Sequence, residues 1–167
     1  MKIGIIGLGI VGSAVDYGLR MLGHEIYPHD IKLKTTVNDV LDTEICYVCV
    51  PTPESDSGQC DVSIVKTVVK ELVDNKYQGI IAIKSTVVPG TTSELQQLYP
   101  SSRFCFVPEF LRERCAIADF VENHDLCIIG TNDESIFETI KKSHGKYPKH
   151  FEMLDINYLY FPHLYDL

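Results

Sequence analysis

The chain has 167 residues, 45% hydrophobic and 23% charged, which is enough apolar material for one domain with a real core. Its formal net charge of −8 and the lack of a basic run exclude nucleic acid and anionic membrane surfaces as expected partners. No apolar run is long enough to span a bilayer, and the glycine-rich start lacks a small-residue cleavage pattern before it reaches Asp16, so no secretory leader is expected and the cytoplasm is the expected location.

Lys2 to Ile6 predicts the first strand. Gly7-Leu-Gly-Ile-Val-Gly12 follows as a G-x-G-x-x-G turn at a helix start. In that pattern Gly7 permits the tight turn, Gly9 lets the backbone approach a pyrophosphate, and Gly12 lets the helix lie close on the strand. Val11, Ala14, Val15, Gly18, Leu19 and Leu22 then fall on one helical face, closed by Gly23. His24 to His29 predicts a second strand with Asp30 at its carboxyl end. A carboxylate about 20 positions past the glycine turn has the range to hold a ribose, and its charge favours NAD over NADP. Alone, the glycines would be packing residues and Asp30 a solvated turn residue; together they predict a dinucleotide site. An acidic chain has to attract that anion locally, through a helix N-terminus and backbone amides.

Ile45 to Val50 predicts a third strand, apolar enough to be buried on both faces. Pro51-Thr-Pro53 stops it, and a polar loop runs from Glu54 to Gln59. Asp61 reads as the N-cap of a helix to about Asn75, with Val62, Val65, Val68, Val69 and Leu72 inward. Ile80 to Lys84 predicts strand four. Thr91-Thr-Ser-Glu94 fits a capping box for a short helix ended by Tyr99-Pro100. Phe104 to Val107 and Leu126 to Ile129 predict strands five and six. Thr131-Asn-Asp-Glu134 fits a second capping box, Lys141, Lys142 and Gly145 suit that helix's end, and Phe151 to Leu154 adds a last strand.

This alternation predicts an α/β fold: a Rossmann-type, doubly wound, mostly parallel sheet of six or more strands. Residues 1–145 are expected to form the dinucleotide-binding domain. Residues 146–167, rich in aromatics from Tyr147 to Tyr165, are expected to extend that domain by folding back or making a dimer contact, and Pro162 opposes a continuous helix there. Ligands of such sheets bind beyond the carboxyl ends of the strands. Gly7 to Gly12, Asp30, Pro51 to Pro53, Ser85-Thr86 and Pro108 to Glu113 all fall there.

Six cysteines include Cys46-x-x-Cys49, a metal-like or redox-like spacing. On a strand, positions three apart face opposite ways, so these thiols are expected to be buried small hydrophobes, and no metal is assigned.

Three later segments join the glycine turn: Val50-Pro-Thr-Pro53, Lys84-Ser-Thr-Val-Val-Pro-Gly-Thr91, and Pro108-Glu-Phe-Leu-Arg-Glu113 followed by Ala116-Ile-Ala-Asp-Phe120. In this order the chain resembles the N-terminal domain of the UDP-glucose/GDP-mannose dehydrogenase family over roughly residues 1 to 145. That family oxidises the C6 alcohol of a nucleotide sugar to a carboxylate with NAD. The resemblance implies NAD contacts from Gly7, Leu8, Gly9, Ile10, Val11, Gly12, Asp30, Lys34, Val50, Pro51, Thr52, Pro53, Ser85 and Thr86. It implies substrate contacts from Glu109, Phe110, Leu111, Arg112 and Glu113, with Thr86, Glu109 and Glu113 catalytic and the Thr86–Glu113 pair holding a water. A UDP-sugar is the favoured substrate. On residue type alone Lys34 reads as a surface lysine, Thr86 as a strand-end residue, and Arg112 and Glu113 as an exposed ion pair.

The chain also departs from the family. The family's central helix with its lysine, and its second domain with a cysteine nucleophile, have no matching positions in this sequence. The covalent half-reaction needs that thiolate. Cys115 lies near the substrate segment, but a neighbouring carboxylate would raise its pKa, so a packing role is preferred. Full catalysis by this chain alone is not expected. The alternatives are a homodimer, a separate chain supplying the missing domain, or a regulatory NAD-binding module. Val107 and Arg114 stand where the family has Asn and Gly, which weakens sugar recognition more than cofactor binding.

Overall fold

A computed structural model describes residues 1–55 and 58–156. A single seven-stranded sheet runs β2-β1-β3-β4-β5-β6-β7, with β1 at Lys2–Ile6, β2 at Glu25–His29, β3 at Ile45–Val48, β4 at Ile80–Ile83, β5 at Arg103–Phe106, β6 at Leu126–Gly130 and β7 at His150–Leu154. The first five strands in this sheet order are parallel. β6 turns against β5 through the pair Phe106–Gly130, and β7 runs parallel to β6 over five residue pairs. The mostly parallel, doubly wound architecture expected from the alternation is therefore present, with a reversal at its sixth position that apolar periodicity does not encode.

Among the described residues five α-helices cover the faces: α1 (Ile10–Met21), α2 (Ser63–Asp74), α3 (Thr91–Leu98), α4 (Ala116–Val121) and α5 (Glu134–His144). Strand residues alternate between two cores. Ile3, Ile5, Ile45, Tyr47, Ile80, Ala82 and Cys105 pack under α1, α4 and α5. Ile6, Cys46, Val48, Ile81, Ile83, Phe104 and Phe106 pack under α2 and α3. The expected separation of Cys46 and Cys49 follows from this alternation, since the two thiols enter opposite cores. Burial raises both thiols, Cys49 to about 12, so they sit as neutral small hydrophobes.

Helix α1 carries its apolar face where expected, with Ala14, Val15, Gly18 and Leu19 buried. Gly18 is required by packing: a Cβ there would stand 2.3 Å from a Phe120 ring carbon on α4. Gly23 closes the helix in the left-handed region at φ +83°.

The structure corrects several boundaries and caps. β3 ends at Val48, two residues before Val50, because Pro51 and Pro53 cannot extend a ladder. Val62, not Asp61, stands at the N-cap of α2, while Asp61 accepts the Ser63 N–H at 2.8 Å. The Thr91–Glu94 box is not formed. Gly90 takes the cap position at φ +91°, the Thr91 hydroxyl donates to the Val88 carbonyl, and Glu94 pairs with Lys66. At α5 the cap is Asp133, which accepts from the Ser135 and Ile136 amides, while the Thr131 hydroxyl oxygen accepts from Asp133 N. A short acidic side chain nearest the first turn reaches those amides better than a threonine two residues earlier. Tyr158, Tyr160, Phe161, Pro162 and Tyr165, on which the tail expectation rests, lie outside the described residues.

Candidate functional site

The glycine turn links β1 to α1 at the carboxyl edge of the sheet. A Cβ at Gly7 would meet the Cys49 carbonyl oxygen at 2.7 Å, and Gly7 itself has φ +92°. A Cβ at Gly12 would meet the Gly7 carbonyl oxygen at 1.9 Å. At Gly9 a Cβ would meet nothing within 4 Å. Two glycines are therefore demanded by the protein's own backbone, while the third leaves open space above the first turn of α1. Open main chain at a helix N-terminus is the surface an anionic phosphate needs. Leu8 and Val11 turn their side chains into the core, leaving their backbone to the turn, and Ile10 is half exposed.

Asp30 stands beside this turn. Its Oδ2 accepts the Leu8 N–H at 2.7 Å and its Oδ1 accepts the Lys32 N–H at 2.8 Å. These two amides, Leu8 first, hold the carboxyl below the usual carboxylate range. The carboxylate is thus tied to the glycine turn by the protein itself and retains acceptor capacity for hydroxyls. Lys34 is exposed on the turn after Asp30. Pro51, Thr52 and Pro53 form the loop leaving β3, where the Pro53 carbonyl accepts Asp61 N–H at 2.8 Å. Ser85 is committed to that loop: its hydroxyl donates to the Val50 carbonyl at 2.7 Å.

A cavity of about 430 Å³ opens beyond β4 and β5. Thr86, Val88, Phe106, Pro108, Glu109 and Ile156 are among its lining residues, together with Lys84 at its floor. Thr86 is exposed there, and its carbonyl accepts from Cys60 Sγ at 3.5 Å. Lys84 Nζ lies 2.6 Å from Glu109 Oε2, with the two side chains 1% and 8% exposed. Burial pulls the Lys84 ammonium down and the Glu109 carboxylate more than restores it, so it is raised overall and stays charged.

The segment after Glu109 is divided. Phe110 is half exposed and lines the cavity. Leu111 packs against the core under α1 and α4. Arg112 is committed to Asp119: Nη2 to Oδ1 at 2.7 Å, Nε to Oδ2 at 2.9 Å, and its own backbone N–H to Oδ2 at 3.0 Å. This bidentate pair fixes the loop, with the Arg112 side chain still largely exposed. Glu113 is exposed at the start of a short 3-10 turn, Glu113–Cys115, and is not among the residues lining the cavity. Cys115 donates to Asp119 Oδ2 at 3.5 Å; lost hydration, then that hydrogen bond, raise its thiol. Val107 is fully buried in the core, so its difference from the family's Asn falls on packing. The Lys84–Glu109 and Arg112–Asp119 pairs are absent from a motif reading. The one available signal is a lysine closing the run Ile80-Ile-Ala-Ile83, where an unpaired charge would be costly.

A model of the UDP-glucose/GDP-mannose dehydrogenase family, NAD binding domain, matches residues 29–147. The chain belongs to this family. A UDP-glucose 6-dehydrogenase of Haloferax volcanii is 25% identical over a stretch covering 84% of this chain and 43% of the relative. A GDP-mannose 6-dehydrogenase of Pseudomonas aeruginosa is 24% identical over 85% of this chain and 43% of the relative. The structure of a UDP-glucose dehydrogenase from Pyrobaculum islandicum superposes with a TM-score of 0.82 at 21% identity, covering 93% of this chain and 46% of the other. The chain thus spans less than half the length of these family members. The residues present fit NAD: Gly9 leaves the backbone open, Gly7 and Gly12 shape the turn, and the Asp30 carboxylate stands beside it with acceptor capacity left for hydroxyls.

Proposed function

We propose that this chain is the NAD-binding part of a nucleotide-sugar 6-dehydrogenase and that residues 1–167 do not complete the oxidation alone. The observation that carries the reading is the pairing of an open Gly9 with an Asp30 carboxylate latched to Leu8 N–H. NAD, when bound, supplies the hydride acceptor. The chain's own residues bind and orient. The Gly7–Gly12 turn and the N-terminus of α1 hold the pyrophosphate, with Leu8, Ile10 and Val11 contributing backbone. Asp30 holds the adenosine ribose, with Lys34 beside it. Val50 to Pro53 and Ser85 form the groove wall, with Ser85 acting by bracing Val50. Thr86, Glu109 and Phe110 border the sugar, and Leu111 to Glu113 complete the loop around it. Thr86 and Glu113 orient a water.

Incompleteness is supported by the chemistry of five of the six thiols, the sixth, Cys60, being the donor to the Thr86 carbonyl. Cys46, Cys49, Cys105 and Cys127 are buried and raised by that burial, and Cys115 is raised beside Asp119. None of these is poised as the thiolate that the family's covalent step requires. Isothermal titration calorimetry with NAD is expected to show saturable binding, weakened by about 1–3 kcal/mol in Asp30→Ala, the scale of a lost acceptor at a polar site. Unchanged affinity in that variant would move the cofactor elsewhere. Mixing the chain with NAD and UDP-glucose is expected to give no sustained NADH absorbance, and steady turnover would refute the incompleteness.

A further inference from the structure

The floor of the 430 Å³ cavity is an ion pair sealed from water, and only one of its members belongs to the segment that borders the sugar. Glu109 Oε2 faces Lys84 Nζ at 2.6 Å, and Glu109 Oε1 accepts the Phe110 N–H at 3.0 Å. The other titratable groups facing Lys84 are Cys49 after β3, Cys105 on β5, Cys127 on β6, His124 before β6 and His144 on α5. Burial keeps all of them neutral, the thiols raised and the imidazoles lowered, so the carboxylate that answers the Lys84 charge is that of Glu109. Phe120 covers the ammonium from α4, with its ring centroid 5.9 Å from Nζ. A buried charge pair of this kind adds little net stability over an apolar pair of the same size, and its attested use is to select one arrangement among several.

We propose that Lys84 is a positioning residue: it fixes the Glu109 carboxylate, and through Oε1 and the Phe110 amide it sets the conformation of Pro108–Arg112 at the cavity mouth. The sugar-binding role of that segment rests on the function proposed above, but the positioning itself does not. Glu109 is thereby held in one conformation at the cavity, with its charge already answered inside the protein.

Site-resolved amide hydrogen exchange on the whole chain tests this in Lys84→Met, Lys84→Arg and the paired variant Lys84→Met/Glu109→Leu. The paired variant removes both charges and the Phe110 acceptor and gives the fully released reference, and Lys84→Gln takes the place of Lys84→Met if that variant does not fold. Exchange at Phe110 is expected to rise by about 10-fold or more in Lys84→Met, which keeps Glu109, while the Ile81 and Ile83 amides keep their protection, and to be partly restored in Lys84→Arg. Unchanged Phe110 exchange, or a loss spread evenly over β4, would overturn the proposal. Calorimetry with UDP-glucose is a separate arm. Weaker binding in Lys84→Met with NAD affinity intact supports the positioning of a sugar subsite. If the wild-type chain binds no UDP-glucose, the proposed function fails on its substrate, while Phe110 exchange still decides the role of Lys84.

Discussion

At the scale of single residues, the three glycines of one turn have separable jobs, and the geometry assigns each a different consequence. Gly12→Ala places a Cβ 1.9 Å from a backbone oxygen that cannot move without dismantling the turn. Gly9→Ala places its Cβ in open space. Thermal unfolding is therefore expected to show Gly12→Ala destabilised by about 1–3 kcal/mol or more, the range of an overpacked site, and Gly9→Ala within a few tenths of wild type. Calorimetry is expected to reverse the ranking of interest, since Gly9→Ala folds but loses NAD affinity. A Gly9→Ala protein that binds normally would mean no phosphate approaches that turn. These positions were legible in the sequence because spacing alone identifies them. The latch from Asp30 to Leu8 was not legible, because it joins residues 22 apart whose meeting depends on the pairing of β1 with β2.

At the scale of elements, sequence pattern located the seven strands and four of the five α-helices of the described residues, missed α4, and failed at the element ends. A strand's apolar run reports burial, and burial continues past the strand's last residue: Cys49 and Val107 are buried outside their strands, with their amides still donating to the Ile6 and Ile83 carbonyls. Caps failed for a related reason. Several Ser, Thr and Asp residues near each helix start compete, and distance to the first free amides chooses among them. The contact of α1 with α4 was also hidden, since it depends on the absence of a side chain at Gly18. Gly18→Ala would press a methyl against Phe120, which is fully buried and has nowhere to turn. Denaturant titration is expected to show a loss of about 1–3 kcal/mol. Phe120→Leu in the Gly18→Ala background is expected to recover part of it, giving a coupling energy in the double-mutant cycle. Additive effects would show that the two helices do not meet there.

For the molecule as a whole, the core under α1, α4 and α5 contains a polar network as well as apolar side chains. Tyr47 and Ser143 share a hydrogen bond at 2.7 Å, and His144 Nδ1 lies 3.0 Å from the Ile140 carbonyl. Burial, then the Lys84 charge, lowers His144 well below the ordinary histidine range. Folded His144 is neutral, whereas in the unfolded chain it gains a proton near pH 6.5. Stability is therefore full above that pH and falls as acid is added, by about 1.4 kcal/mol per pH unit for one such histidine. The carboxylates held low by Leu8 and Arg112 contribute only at more acidic pH. Urea unfolding at pH 7.5 and pH 5.5 is expected to show this slope, reduced in His144→Leu whatever that variant's absolute stability. An identical slope would place the titrating group elsewhere.

The reversal at β6 has a consequence of its own. Five strands and the remaining two meet at a single residue pair, Phe106 with Gly130, yet Cys105, Val107, Cys127 and Ile129 share one apolar core across the join. The two blocks are thus glued by the exclusion of water far more than stitched by main-chain rungs. Such glue loses strength on chilling, so near freezing this seam is where the sheet is most inclined to part.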